Sequence, residues 1–177
     1  MKNRPLALLA AVACLFTVSA GAQKSSSDSV DDAVIAATIK ADLLDNKDTS
    51  GTRINVNSLQ GVVQLSGFAR SDGERTTAVR VAGNVTGVKQ VINNVEVAPA
   101  TSLGTKLDDS LITGKVKAAL MDTADVKSLH IGVETHDGVT QLAGFVASAA
   151  MKEKAGQVAA GIVGVKRVDN VLVVKPR

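Results

Sequence analysis

The 177-residue chain contains no tryptophan, no tyrosine, one cysteine and three phenylalanines. Phe16 lies in the apolar leader, so Phe68 and Phe145 are the only aromatic side chains beyond it apart from two histidines. Single-stranded nucleic acid is held by stacking bases on aromatic platforms, and this inventory excludes that mode. Cys14 also lies in the leader, which leaves the rest of the chain without disulfides or thiol chemistry. An excess of one charge sign is missing too. There are 20 basic and 17 acidic side chains, and two of the basic ones, Lys2 and Arg4, belong to the leader, so the remainder carries a balance of +1. Displacing counterions from a nucleic-acid backbone needs a concentrated positive patch, so no nucleic-acid partner is expected. Beyond the leader no apolar run is long enough to span a bilayer.

Residues 1–22 read as a secretory signal peptide. Lys2 and Arg4 form the basic start, Leu6 to Val18 is apolar but short, and Ala20-Gly21-Ala22 is a small-x-small site that predicts cleavage between Ala22 and Gln23. The alternatives are an uncleaved anchor and lipid attachment at Cys14. The latter would leave apolar Leu15 to Val18 downstream of the cut. Residues 23–27 read as a flexible N-terminal segment.

What the chain does have is a copy of itself. Displaced by 77 residues, 31–97 lies over 108–174 without a gap, and about 26 of the 67 aligned positions are identical. That period is too long for a solenoid repeat and suits a small complete domain. The shared positions are mainly apolar residues and glycines, with no catalytic set among them. Each copy carries seven basic and eight acidic side chains.

Each copy opens with a predicted helix, capped by Asp28 or Ser29 in the first and by Thr105 in the second, with Asp31 and Asp108 in the first turn where negative charge suits the helix dipole. Val34, Ile35, Ile39 and Leu43, like Leu111, Ile112, Val116 and Leu120, recur at helical spacing. Two strands follow. The first runs through Arg53-Ile54-Asn55-Val56-Asn57 or His130-Ile131-Gly132-Val133-Glu134. Asp137-Gly138 signals a tight turn, and Gln60-Gly61 is its weaker counterpart. Inside the second strand, Gly67 and Gly144 predict a bulge or a helix backbone passing close by. A second helix starts at Ser71-x-x-Glu74, a capping box, or at Ser148, with an alanine-rich apolar stripe. Gly87 and Gly164 fit the left-handed position that closes it.

The order is α-β-β-α-β, twice: an α+β protein of two tandem domains, each a three-stranded mixed sheet with two helices on one face. The boundaries are 28–97 and 105–175, joined by a linker at 98–104. Val62, Gln64, Ser66 and Phe68, with Val139, Gln141, Ala143 and Phe145, fall on the sheet face away from the helices. That face is less polar than expected for a solvated surface, so either the two sheets cover each other or a partner covers them. Val62, Phe68, Val139 and Phe145 are therefore the candidate partner face.

The run Gly61-Val62-Val63-Gln64-Leu65-Ser66-Gly67-Phe68, the alanine-rich helix after it, and Gly87-Val88-Lys89-Gln90-Val91-Ile92-Asn93-Asn94-Val95-Glu96-Val97 resemble the BON domain family. The twin from Gly138 to Val174, including Asn170, matches the same pattern. The resemblance spans nearly all of the chain after the leader. It implies a non-enzymatic periplasmic protein of envelope integrity and osmotic stress, which associates with anionic phospholipid surfaces or envelope proteins and has no cofactor. A chaperone-like or scaffolding role for the apolar sheet faces is the alternative.

The remaining chemistry is sparse. His130 and His136 read as surface side chains of a hairpin without a third metal ligand, and Asp31-Asp32 and Asp108-Asp109 are explained as helix-start carboxylates. Thr113-Gly114-Lys115 lies within a predicted helix and lacks the upstream glycines of a phosphate loop. No catalytic residue, metal site or small-molecule substrate is predicted. Lys115, Lys117, Arg75, Arg80, Lys152 and Lys154 are the candidate membrane contacts, each able to add about 1 kcal/mol against an anionic surface. Gly61, Gly67, Gly87, Gly138, Gly144 and Gly164 are the candidate structural glycines.

Overall fold

The computed structural model describes residues 25–49, 53–98, 100, 102–126 and 131–175. The leader, Cys14, the expected cleavage at Ala22 and Gln23, and His130 lie outside the described residues. The first unit comprises α1 (Ser25–Asp45), β1 (Ile54–Leu59), β2 (Val62–Ala69), α2 (Asp72–Gly83) and β3 (Gln90–Val97). The second comprises α3 (Leu103–Asp122), a 3-10 turn (Ala124–Val126), β4 (Gly132–His136), β5 (Val139–Ala143), β6 (Phe145–Val146), α4 (Ala149–Ala160), β7 (Arg167–Asn170) and β8 (Val173–Val174). The α-β-β-α-β order therefore holds in both units, with the last two strands of the second each split in two.

In the first sheet β2 is central, antiparallel to β1 through the hairpin and parallel to β3 through the α2 crossover. The second sheet repeats this with β4-β5-β7 and continues as the parallel pair β6-β8. Both interruptions are local, since Val171 N–H still donates to Leu142 O at 2.9 Å and Val173 N–H to Gly144 O at 2.8 Å.

Each unit has its own core. Ile35, Ile39, Leu43, Ile54, Val63, Leu65, Ala78, Ala82 and Val95 close the first, and Ile112, Val116, Leu120, Val133, Leu142, Ala155, Ala159 and Leu172 close the second. Alanines at 78, 82, 155 and 159 carry little volume, so α2 and α4 lie close on their sheets. Val34 and Leu111, included in the apolar stripe on spacing alone, are exposed, because the buried stripe is narrower than the run of apolar residues.

Three local expectations are corrected. The cap of α3 is Ser102, whose extended backbone lets its Oγ accept the Thr105 amide at 3.3 Å; Thr105 itself lies inside the helix. Helix α1 already includes Ser25, ahead of the expected cap. Gly87 and Gly164 do adopt positive φ, +93° and +101°, but neither closes a helix: α2 ends at a right-handed Asn84 and α4 at a right-handed Gly161. Both glycines instead receive an isoleucine from the unit's first helix, and a Cβ there would come within 2.9 Å of Ile35 Cδ1 or 2.8 Å of Ile112 Cδ1. Ser71 and Ser148 cap α2 and α4 as their sequences predict, accepting the amides of Glu74 at 3.1 Å and Met151 at 3.2 Å.

Candidate functional site

The acidic pairs at the first helices are only half explained by the helix dipole. Asp32 and Asp109 are buried, and each turns inward to hold the unit's hairpin turn. Asp32 accepts from Gly61 N–H at 2.9 Å, Gln60 N–H at 2.5 Å and Ser58 Oγ at 2.7 Å; Asp109 accepts from Gly138 N–H at 2.9 Å and Asp137 N–H at 2.8 Å. Both turns carry two successive positive-φ residues, Gln60-Gly61 and Asp137-Gly138, and the carboxylate gathers the two N–H groups that such a turn exposes. Burial pushes the Asp32 carboxyl up. The hydrogen bonds from Gly61, Ser58 and Gln60, with Lys89 nearby, outweigh it and hold the group below the usual carboxylate range.

Of the two coverings that the sequence leaves open for the sheet face, the structure has the first: the two sheets cover each other. Phe68 is 2% exposed and Phe145 8%, and neither belongs to the core of its own unit. The seam between the units is built on one exchange made twice. Gln64 Oε1 accepts Gly144 N–H at 2.7 Å while its Nε2 donates to Val171 O at 2.7 Å. Gln141 Oε1 accepts Gly67 N–H at 2.5 Å while its Nε2 donates to Asn94 O at 2.9 Å. Gly67 and Gly144 sit at φ +100° and +126°, a kink in the central strand that turns one N–H towards the other unit. Where the sequence suggests a bulge or a helix backbone, what comes close at Gly67 is the Arg53 carbonyl just before β1, and each glycine N–H meets a glutamine from the other copy.

Around this centre the seam is polar. His136, expected at the surface of its hairpin, is buried, its ring edge-on to Phe68 at 5.2 Å between centroids. Burial raises the Glu134 carboxyl above its ordinary value, against the lowering effect of Asn55 and of Lys117, Arg53 and Lys40. Glu96 is raised by burial and then by Asp169 of the second unit, while Arg167 reaches both, 3.6 Å from Glu96 and 2.7 Å from Asp169. Asn57 Nδ2 and Ser66 Oγ are buried without a hydrogen-bond partner.

With the sheet faces closed, the most open apolar surface lies elsewhere. Leu107 and Leu111 on α3 and Val163 in the α4–β7 loop are 68%, 63% and 84% exposed. Leu111 and Val163 line an open groove of about 420 Å³ with Ile112, Lys115 and Lys166, next to the Asp137-Gly138 turn. Of the six candidate membrane contacts, only Lys115 lines this groove. Lys117, two residues on and so about 200° around the helix, faces Glu134 instead. Arg75 pairs with Asp72 on α2, Lys152 is half-buried on α4, and Arg80 and Lys154 are exposed on those helices. Lys166, missed in the sequence, lies 2.9 Å from Asp137; with Asp108 and Asp109 the groove lining holds two lysines and three carboxylates. The first unit has a fainter version: Val34 and Lys89 stand at the positions of Leu111 and Lys166, but Thr38 and Thr86 replace Lys115 and Val163. Among the described residues no group of three or more His, Cys, Asp or Glu could hold a metal ion, and no helix is long and apolar enough to cross a membrane.

Fold and seam define a class: a duplicated α+β module whose two sheets close on each other. The BON domain matches residues 31–99 and 108–176, and the chain belongs to that family. It is 40% identical to osmotically-inducible protein Y of Escherichia coli over 148 residues, 82% of this chain and 74% of that protein. It is 30% identical to the 21 kDa hemolysin of Actinobacillus pleuropneumoniae over 84% of this chain and 77% of that protein. It is 32% identical to the outer membrane lipoprotein DolP of Haemophilus influenzae, over 67% of this chain and 61% of that protein.

Proposed function

We propose that this chain is a non-enzymatic protein of the bacterial envelope that acts in osmotic stress by resting the groove of its second unit on anionic phospholipid. The relatives named for osmotic induction and for the outer membrane support the setting. The observation that carries the mechanism is an exposed apolar ridge, Leu107, Leu111 and Val163, with Lys115 and Lys166 beside it among the carboxylates Asp108 and Asp137. Complete burial of one such side chain contributes about 1.5–3 kcal/mol, and each lysine near an anionic surface about 1 kcal/mol. An export signal ending at Ala22 and a periplasmic address are part of this reading. Arg75, Arg80, Lys152 and Lys154 would act as a secondary, purely electrostatic contact.

Flotation with vesicles of phosphatidylglycerol and phosphatidylethanolamine tests the proposal. The chain floats with the vesicles, Leu111→Asp with Val163→Asp sinks, and Lys115→Glu with Lys166→Glu floats poorly and loses its salt dependence. Undiminished flotation of the Leu111→Asp, Val163→Asp variant contradicts the groove as the contact. The scaffolding alternative needs Val62, Phe68, Val139 and Phe145, of which the two phenylalanines are buried while the units stay together.

A further inference from the structure

We propose that the two units exchange between copies of this chain, forming a dimer in which the first unit of each copy closes on the second unit of the other. The seam is reciprocal. Each unit offers the same three elements: a glutamine amide (Gln64, Gln141), a kinked glycine N–H (Gly67, Gly144) and a carbonyl acceptor (Asn94, Val171), each at the same 77-residue offset. Such a set is satisfied by a unit of its own kind, and a second copy supplies one without any new surface being made. Exchange therefore keeps both seams and both cores.

Opening is also confined to the interface. The two cores share no residue, so parting the units leaves each intact. Much of what separates is polar, including Asn57, Gln64, Ser66, Glu134, His136 and Gln141, and two buried atoms there, Asn57 Nδ2 and Ser66 Oγ, have no partner to lose. Residues 98–102 join β3 to α3, a short connection between the two units. Because a short linker holds its two ends at an effective concentration of about 1 mM, the closed monomer wins in dilute solution and exchange in concentrated solution.

The strand β1 approaches β4 across the seam closely enough to trap either form. A Cβ placed on Gly132 lies 3.7 Å from Asn55 Cβ, within the span of a disulfide. Asn55→Cys with Gly132→Cys, in the full chain with Cys14→Ser, is refolded dilute at about 5 µM or concentrated at about 1 mM, below and at the linker's effective concentration, then oxidised and run under non-reducing denaturing conditions. The dilute sample gives a cross-linked monomer, and the concentrated one a covalent dimer that grows with protein concentration. Monomer alone at both concentrations overturns the proposal. Should the cysteine pair fail to fold, the wild-type chain refolded in the same way is sized by light scattering. A dimer that persists on dilution and disappears in Gln64→Ala, Gln141→Ala supports exchange; no dimer, or one that survives both replacements, overturns it.

Discussion

Gln64 and Gln141 stand 77 positions apart and make the same pair of hydrogen bonds in opposite directions, each to a glycine N–H and a carbonyl of the other unit. A primary amide here does what a neighbouring strand would do, offering one donor and one acceptor to backbone groups that the kink at Gly67 or Gly144 leaves outside the sheet. Removing either side chain strands both backbone groups. Gln64→Ala should therefore cost about 1–3 kcal/mol of seam stability. Because each core is separate, far-UV circular dichroism stays unchanged while proteolysis within residues 98–102 accelerates; equal cleavage rates contradict the bonds' importance.

Asp32 holds the first hairpin by three bonds, and its loss leaves the Gly61 N–H buried and unpaired. Asp32→Ala should destabilise the chain by about 1–3 kcal/mol in urea unfolding. The carboxyl's folded pKa is lowered, so its contribution is complete above the ordinary value of 3.8 and disappears as pH falls through the folded value. The variant should show a flatter acid limb than the wild type. Parallel acid limbs would assign the carboxylate no role.

Glu134 behaves oppositely. Its folded pKa is raised, chiefly by burial, so the folded chain holds the proton more tightly and is stabilised below the unfolded value of 4.5; this gain disappears as pH rises through the folded value. Glu134→Gln should raise the Tm at pH 7 and make no difference at pH 4. A lower Tm at pH 7 would mean that attraction to Lys117, Arg53 and Lys40 exceeds the cost of burying the charge.

Ser66 Oγ is buried without a partner, and the second unit has Ala143 at the equivalent position. Ser66→Ala removes a hydroxyl that gives up water and gains nothing, so stability should rise by about 0.5–1 kcal/mol. The adjacent Gly67→Ala should do the reverse. A Cβ at φ +100° would collide with the Arg53 carbonyl oxygen, a backbone atom, and the loss should exceed about 2 kcal/mol. Thermal unfolding of the two variants in opposite directions is the check.

Duplication made the fold legible. Two copies in register marked the core stripe, the caps at Ser71 and Ser148 and the order of elements, since these obey local periodicity. Long-range roles were less visible. Asp32 and Asp109 look like helix-start carboxylates because nothing local tells which way an early helical aspartate faces once the helix begins sooner. Lys117 and Lys115 look interchangeable in sequence, yet the helix sends one to Glu134 and the other to the groove. Gln64 and Gln141 did carry a signal: an uncharged polar residue kept in both copies at the centre of a buried strand has to find a partner, and that partner was the other copy.

The account depends most on the sheets closing on each other, and amide hydrogen exchange at Gly67 and Gly144 measures that contact directly. Both amides should be protected in the native chain, and Gln141→Ala should expose Gly67 while Ile54 and Val63, within the first core, stay protected. Fast exchange at both glycines in the unaltered chain, alongside protected cores, would mean that the faces are open and that Phe68 and Phe145 look outward.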